Sequence, residues 1–361
     1  SAGPIRQALV KRVQHGVFGY TAVDDSYYEA IANWMARRHG WTVEPDWILT
    51  TNGVMQAINL AVQTLTQPGD GIIVQPPVFD PITQAVSNNG RVVSPNRLLY
   101  QSGRYEIDFP DLEARAAVPG CRMLILCHPH NPVGRIWSPD ELRHVITICA
   151  RHDLILVSDE IHGELAYSWA KFTPTGAADP TINNRLVVCT GPSKAFNLPG
   201  LRTSLTIVPD ADLRRQVQIG LRNLNEDFGV NVLGTTALQA AYESGESWLA
   251  ELLTYLEANY LYLRDNLETN LPQLKLVPAE ALYLAWIDCR ALGLGEAKLK
   301  SVFLDEARVA LEWGTHFGPE GDGFVRMNLA CPRPILRAAL ERIKRAFDLG
   351  HLGTSEQTER Y

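Results

Sequence analysis

A lysine stands in an unusual setting in Thr190-Gly191-Pro192-Ser193-Lys194-Ala195-Phe196-Asn197, directly after the apolar run Leu186-Val187-Val188-Cys189. Such a run reads as a buried strand, and open α/β sheets hold their ligands just beyond the carboxyl ends of their strands. Lysine is costly to bury. The chemistry its amine offers in that place is a Schiff base with a carbonyl cofactor such as pyridoxal phosphate (PLP). Taken alone, Lys194 reads more simply as a solvated loop residue. The cofactor reading needs its other contacts from elsewhere in the chain.

Three strand ends carry groups that suit one such cofactor. Asp159 closes the apolar run Leu154-Ile155-Leu156-Val157 and Ser158, so its carboxylate is expected to be partly buried and to need a cationic partner. A pyridinium nitrogen would serve, and a protonated ring is what makes PLP an electron sink. Asn131, after Met123-Leu124-Ile125-Leu126-Cys127, could donate to the ring's phenolic oxygen. Asn52-Gly53-Val54 is a strand-to-helix turn whose free N–H groups and helix dipole make a phosphate seat. Ser193 and Arg202 could share that phosphate, and Phe79, on a loop fixed by Pro76-Pro77, could stack on the ring. Each residue also has a plain structural reading: Asp159 an N-cap, Asn131 a turn former, Arg202 a surface ion pair, Phe79 core, Gly53 an ordinary turn. It is their joint placement at the strand edges of one sheet that favours a site.

The elements that must position these groups are legible as alternating strands and helices. Apolar runs at 48–51, 71–74, 91–93, 122–127, 154–157, 186–189 and 203–208 read as seven strands. Uninterrupted runs of this kind, separated by helical patterns, indicate a mainly parallel sheet covered on both faces. Helical spacing marks residues 5–15, and Ser26-x-x-Glu29 has the capping-box pattern of a second helix. Beyond Pro209 helices are expected at 211–224, 231–243 and from Trp248 to about Leu267. Strand-like Tyr283 to Ile287 and Gly323 to Asn328, with a helix from Pro334 to Phe347, suggest a smaller α+β unit. The expected division is 17–246 for the large unit, and 247–361 together with 1–16 for the small one. Residues 351–361 read as a loose polar tail.

At 361 residues the chain suits two domains. Its 33 Lys+Arg against 40 Asp+Glu leave no basic run to attract nucleic acid or an anionic membrane. No apolar segment reaches the length of a span, and no signal peptide is visible. Six cysteines without a Cys-x-x-Cys pair read as free thiols in a reducing, cytoplasmic setting and not as metal ligands. His128-Pro129-His130 is expected to be a loop, not a metal site.

The motifs Asn131-Pro132-x-Gly134, Asp159-Glu160-Ile161 and Ser193-Lys194-x-Phe196-Asn197 with Arg202 resemble fold-type I PLP enzymes of the class I/II aminotransferase superfamily. Within it, Phe18-Gly19-Tyr20, Asn131 through Trp137, Asp159 through His162, Ser193 through Asn197 and Tyr283 through Trp286 resemble most the cystathionine β-lyase-like C–S lyases. The resemblance implies that Lys194 carries the cofactor and removes the substrate α-proton, and that Asp159 faces the pyridine nitrogen. It implies a further cofactor contact at His162, where many aminotransferases have tyrosine. It also implies that Arg326 clamps the substrate α-carboxylate, and that Tyr20 reaches the phosphate of a neighbouring subunit, and the substrate there, in a homodimer with shared sites. The implied reaction splits cystathionine or another L-cysteine S-conjugate to a thiol, pyruvate and ammonia. An aminotransferase using the same residues is the alternative, and a PLP-binding regulatory module a third reading, disfavoured by the absence of a basic helix-turn-helix segment. Two positions depart from the pattern. Gly191 replaces a phosphate-contacting serine, leaving Thr190 or Ser193 to supply that contact, and Asp80 replaces a second aromatic. The numbering starts where the family's first helix starts, so the segment that lines the site in relatives is expected to precede it.

Overall fold

Seven of the apolar runs become strands of one sheet because both of their faces find a partner layer. The computed structural model describes residues 1–225 and 231–348; the tail expected at 351–361 lies outside the described residues. The strands are β1 (Ile48–Thr51), β2 (Gly71–Val74), β3 (Val92–Pro95), β4 (Cys121–Cys127), β5 (Ile155–Asp159), β6 (Leu186–Thr190) and β7 (Ser204–Ile207). They lie in the order β1-β7-β6-β5-β4-β2-β3. The neighbours from β3 to β6 pair in parallel, whereas β7 runs antiparallel to both β1 and β6.

Side chains alternate between the faces along each strand, and here both alternating sets are apolar. Leu124, Leu126, Leu156, Leu186 and Val188 share a core with Trp34, Val145, Ile146 and Leu238. Met123, Ile125, Val157 and Val187 pack instead with Ala57, Ile58, Ala61 and Ile82, from helices Val54–Leu65 and Asp80–Ser87. This two-sided burial is why the runs carry no polar alternation. It also brings Cys127, Asp159 and Cys189 level with one another in register at the carboxyl edge.

A second, antiparallel sheet has the order β8-β9-β11-β10, with β8 (Lys275–Leu276), β9 (Leu284–Asp288), β10 (Glu312–Trp313) and β11 (Phe324–Asn328). Its core joins Ile287 and Val325 to Leu256, Leu263, Leu336 and Leu340, from helices Glu246–Asn270 and Arg333–Asp348. Tyr283 and Arg326 flank and occupy this sheet where it meets the large one.

Two sequence expectations need correction. The helix Asp25–His39 is capped by Asp24, whose side chain accepts from the Ser26 N–H at 3.1 Å, so no Ser26–Glu29 box forms there. The box is found at Ser138 and Glu141, which start helix Pro139–Arg151. Residues 1–16, grouped above with the smaller unit, instead pack with the larger. Ala2 and Ile5 are fully buried in the core of the large sheet layer, and helix Gly3–His15 lies against helix Val232–Ser244.

Candidate active site

The carboxyl edge of the large sheet and the near side of the small one enclose a cavity of about 430 Å³. Ten of the residues singled out from sequence open onto it: Gly53, Val54, Phe79, Asn131, Asp159, His162, Ser193, Lys194, Arg202 and Arg326. Tyr20 does not; it is 86% exposed on the loop after the first helix.

Lys194 follows β6 in a short turn tied by Phe196 N–H to Pro192 O and Leu198 N–H to Ser193 O, both 2.9 Å. Its amine makes no hydrogen bond or ion pair among the described residues. Burial pulls its pKa below the ordinary lysine value, against the pull of Asp159, and the charge of Arg326 adds to the lowering. Asp159 is buried at the end of β5, where its Oδ1 accepts from the Ile161 N–H at 3.2 Å. Burial raises its carboxyl to about 6, opposed by that hydrogen bond and by Lys194. No cation among the described residues pairs with it. A buried carboxylate in this condition is short of a positive partner.

Asn131 is held by its own backbone. Its N–H points to Cys127 Sγ at 3.4 Å, and its carbonyl accepts from the Phe79 N–H at 3.1 Å. Its loop is pinned by buried Arg135, which bonds Glu141 at 2.8 Å and Glu280 at 3.2 Å and lies 4.9 Å over the Trp137 ring. His162 is buried, its Nδ1 without a partner and its ring edge-on to Tyr283 at 6.0 Å. Burial, with the charges of Lys194 and Arg326, lowers its pKa to about 3, so the imidazole is neutral. Arg326, on β11, donates to Asn131 Oδ1 at 2.7 Å and to Glu312 Oε2.

Of the N–H groups named above for the phosphate seat, that of Val54 remains free for a ligand and that of Gly53 does not. The Gly53 N–H is taken by Ser204 Oγ at 3.1 Å, which leaves Val54 and Met55, the first two residues of their helix and so without intrahelical acceptors. Gly53 itself has φ +107°, which a side chain would strain. Thr190 is likewise committed, donating to Glu160 O at 3.2 Å, so of the two residues offered above only Ser193 lines the cavity. Gly191 suits its place: a Cβ there would stand 3.0 Å from Ser204 Cα.

These groups fit PLP on their own chemistry. An unengaged amine, a buried carboxylate lacking a cation and a helix N-terminus beside Arg202 match an aldehyde, a pyridine nitrogen and a phosphate. Sequence reasoning missed Asn328 and Tyr283 as lining residues. Asn328 was findable, because it stands two residues from Arg326 on one strand and so shares its face. It also missed Glu312, which sits opposite Arg326 in the β10–β11 register, a pairing that no local spacing encodes.

Comparison with known proteins points to the same cofactor. Residues 5–343 match the family model "Aminotransferase class I and II". Cystathionine beta-lyase PatB of Bacillus subtilis is 42% identical over 342 residues, 95% of this chain and 88% of that protein. Protein MalY of Escherichia coli is 32% identical over 91% of this chain and 84% of its own length. Among solved structures, cystalysin of Treponema denticola, which contains a pyridoxal 5'-phosphate cofactor, superposes with TM-score 0.93 at 33% identity over 96% of this chain and 88% of its own. A PLP-bound putative aminotransferase of Clostridium difficile gives TM-score 0.93 at 36% identity over 96% of this chain and 89% of its own. The chain belongs to the class I and II aminotransferase family of fold-type I PLP-dependent enzymes, in the branch that holds the cystathionine β-lyases.

Proposed function

We propose that the chain is a PLP-dependent C–S β-lyase that cleaves cystathionine or a related L-cysteine S-conjugate to a thiol, pyruvate and ammonia. The observation that carries this reading is the meeting of Lys194, Asp159 and Arg326 on one cavity, in a chain 42% identical to a cystathionine β-lyase. Bound PLP supplies an electron-poor ring that accommodates negative charge at the substrate α-carbon.

The chain's own groups take the remaining roles. Lys194 Nζ holds the cofactor and, once free, takes the α-proton; its lowered pKa raises the fraction present as base. Asp159 accepts from the pyridine N–H and keeps that proton in place, gaining the cationic partner its buried carboxylate lacks. Arg326 grips the α-carboxylate and so fixes the orientation of the α-carbon. The Val54 and Met55 N–H groups, Ser193 and Arg202 hold the phosphate, Asn131 the ring oxygen, and Phe79 one ring face. His162 stays neutral through the working pH range, so it packs and polarises beside Tyr283 without exchanging a proton.

The reading extends to a cytoplasmic homodimer in which the partner's Tyr20 completes the phosphate site. The exposure of Val17, Phe18 and Tyr20 on one loop supports it. No described helix is long and apolar enough to cross a membrane. Residues 17–246, joined by the first helix, form the cofactor-binding unit in this proposal, and residues from 247 the smaller one.

A second reading, aminotransferase, has the 36% identical putative aminotransferase in its favour. Pyruvate formed from cystathionine without added 2-oxo acid supports the lyase, and strict dependence on an oxo acid would replace it with the transaminase.

A further inference from the structure

Arg326 is not an empty clamp. Its Nη1 donates to Asn131 Oδ1 at 2.7 Å, its Nη2 is held by the Glu312 carboxylate, and its Nε is buried without a partner. The guanidinium lies 4.7 Å over the Phe317 ring, which closes one of its faces. Among the described residues Glu312 is the one carboxylate in ion-pair range of Arg326.

A bidentate grip on a carboxylate uses two neighbouring N–H groups of the guanidinium, and here a carboxylate of the chain already holds one of them. The two partners differ in exposure. The Arg326 side chain is 12% exposed, that of Glu312 40%, on a two-residue edge strand of the small sheet. Glu312 can therefore swing into water at little cost, while Arg326 cannot leave. Two carboxylates crowded on one guanidinium repel, so an arriving α-carboxylate sends the mobile one away.

We propose that Glu312 is a resident carboxylate that neutralises Arg326 in the substrate-free enzyme and must be displaced by the α-carboxylate of the amino-acid substrate. The proposal rests on the reading of Arg326 as the substrate clamp. It gives the residue pair two consequences. The buried cation beside Lys194 is never left uncompensated between turnovers, and each carboxylate ligand binds more weakly than it would to an unoccupied Arg326. Amines without a carboxylate do not displace Glu312 and so gain nothing from its removal.

The test uses the PLP-loaded enzyme and propionate, a carboxylate with no amino group to react. Calorimetry measures propionate binding to wild type, Glu312→Gln and Arg326→Ala, with melting temperatures as the check on folding. Glu312→Gln is expected to tighten propionate by roughly three- to five-fold, the range for a half-exposed ion pair. The KM for the amino-acid substrate should fall by a similar factor, so that the effect appears in KM and not in kcat. Unchanged or weaker propionate binding in Glu312→Gln overturns the proposal, and a raised KM would mean that Glu312 merely orients Arg326. If Arg326→Ala abolishes propionate binding while Glu312→Gln does not tighten it, only the displacement fails. If Arg326→Ala leaves propionate binding intact, the clamp itself was misassigned.

Discussion

Replacing Asp159 by asparagine should stabilise the cofactor-free protein while disabling the enzyme. The carboxyl is buried, and its folded pKa of about 6 lies above the ordinary 3.8. A raised carboxyl pKa means that folding favours the protonated form. The ionised form therefore costs stability at pH values above 6, and the cost fades as pH falls towards the ordinary value. At about 1.4 kcal/mol per pH unit, the gap corresponds to about 3 kcal/mol at neutral pH. Asparagine keeps the oxygen that accepts from Ile161 N–H at 3.2 Å and removes the charge, so nearly all of that cost should be recovered.

The assay is the melting temperature of wild-type and Asp159→Asn apoenzyme between pH 4 and 8. The variant should melt several degrees higher at pH 8, with the gap closing through pH 6 and absent near pH 4. Adding PLP should reverse the order, because only the carboxylate gains from a cationic ring nitrogen, and turnover in the variant should fall by orders of magnitude. A variant less stable than wild type at pH 8, or a gap that does not change with pH, would refute the reasoning. Either result would mean that Asp159 already has a compensating cation without the cofactor.

Lys194→Ala should abolish the fixed yellow colour, with no cofactor retained on the protein after borohydride reduction and mass spectrometry. Gly134→Ala places a Cβ 2.5 Å from Ala279 Cβ at a residue with φ +75°. It should cost about 2–4 kcal/mol and, by shifting the Asn131 loop, weaken PLP retention measured by dialysis. Glu164 accepts from Trp34 Nε1 at 2.5 Å, Arg38 at 2.8 Å and His39 at 2.7 Å, and these partners outweigh burial to hold its pKa below the ordinary 4.5. Its contribution is thus present above that value and lost in acid, so Glu164→Gln should cost about 2–4 kcal/mol at pH 7 and progressively less in melts taken towards pH 3.

What could be read from the sequence was whatever the chain encodes locally. The β-branched runs announce strands because both faces are covered, and Asp159, Asn131 and Lys194 sit where those runs stop. The errors came from partners far away in sequence. Nothing around Gly53 says that Ser204, on β7, will take its N–H, and nothing around Thr190 says that its hydroxyl will turn to Glu160. The first helix looked like part of the smaller unit until Ala2 and Ile5 were found buried in the core of the larger. Asp24 displaced Ser26 as a cap because either residue can accept from the first turn, and a pattern of types cannot rank them. Glu312 is the extreme case, since its relation to Arg326 exists only through strand register.

The charges around the cavity explain why these distant commitments matter. Lys194, Arg202 and Arg326 open onto it, against Asp159 alone among acidic side chains, while burial keeps His162 neutral. Cofactor phosphate and substrate carboxylate together bring more negative charge than this surplus leaves over, and the ring nitrogen brings one positive charge back to Asp159. Each ligand charge thus has a counterpart of its own, but the counterparts differ in what the chain offers them when the ligand is absent. For Asp159 the lack of a paired cation appears as a raised pKa, because burial outweighs the hydrogen bond from Ile161 and the charge of Lys194. For Arg326 the chain supplies Glu312 from an exposed edge, where a carboxylate can be surrendered without burying a new charge. The cofactor site is thus left strained until filled, which favours tight retention, while the substrate site is kept neutral between turnovers, which favours exchange.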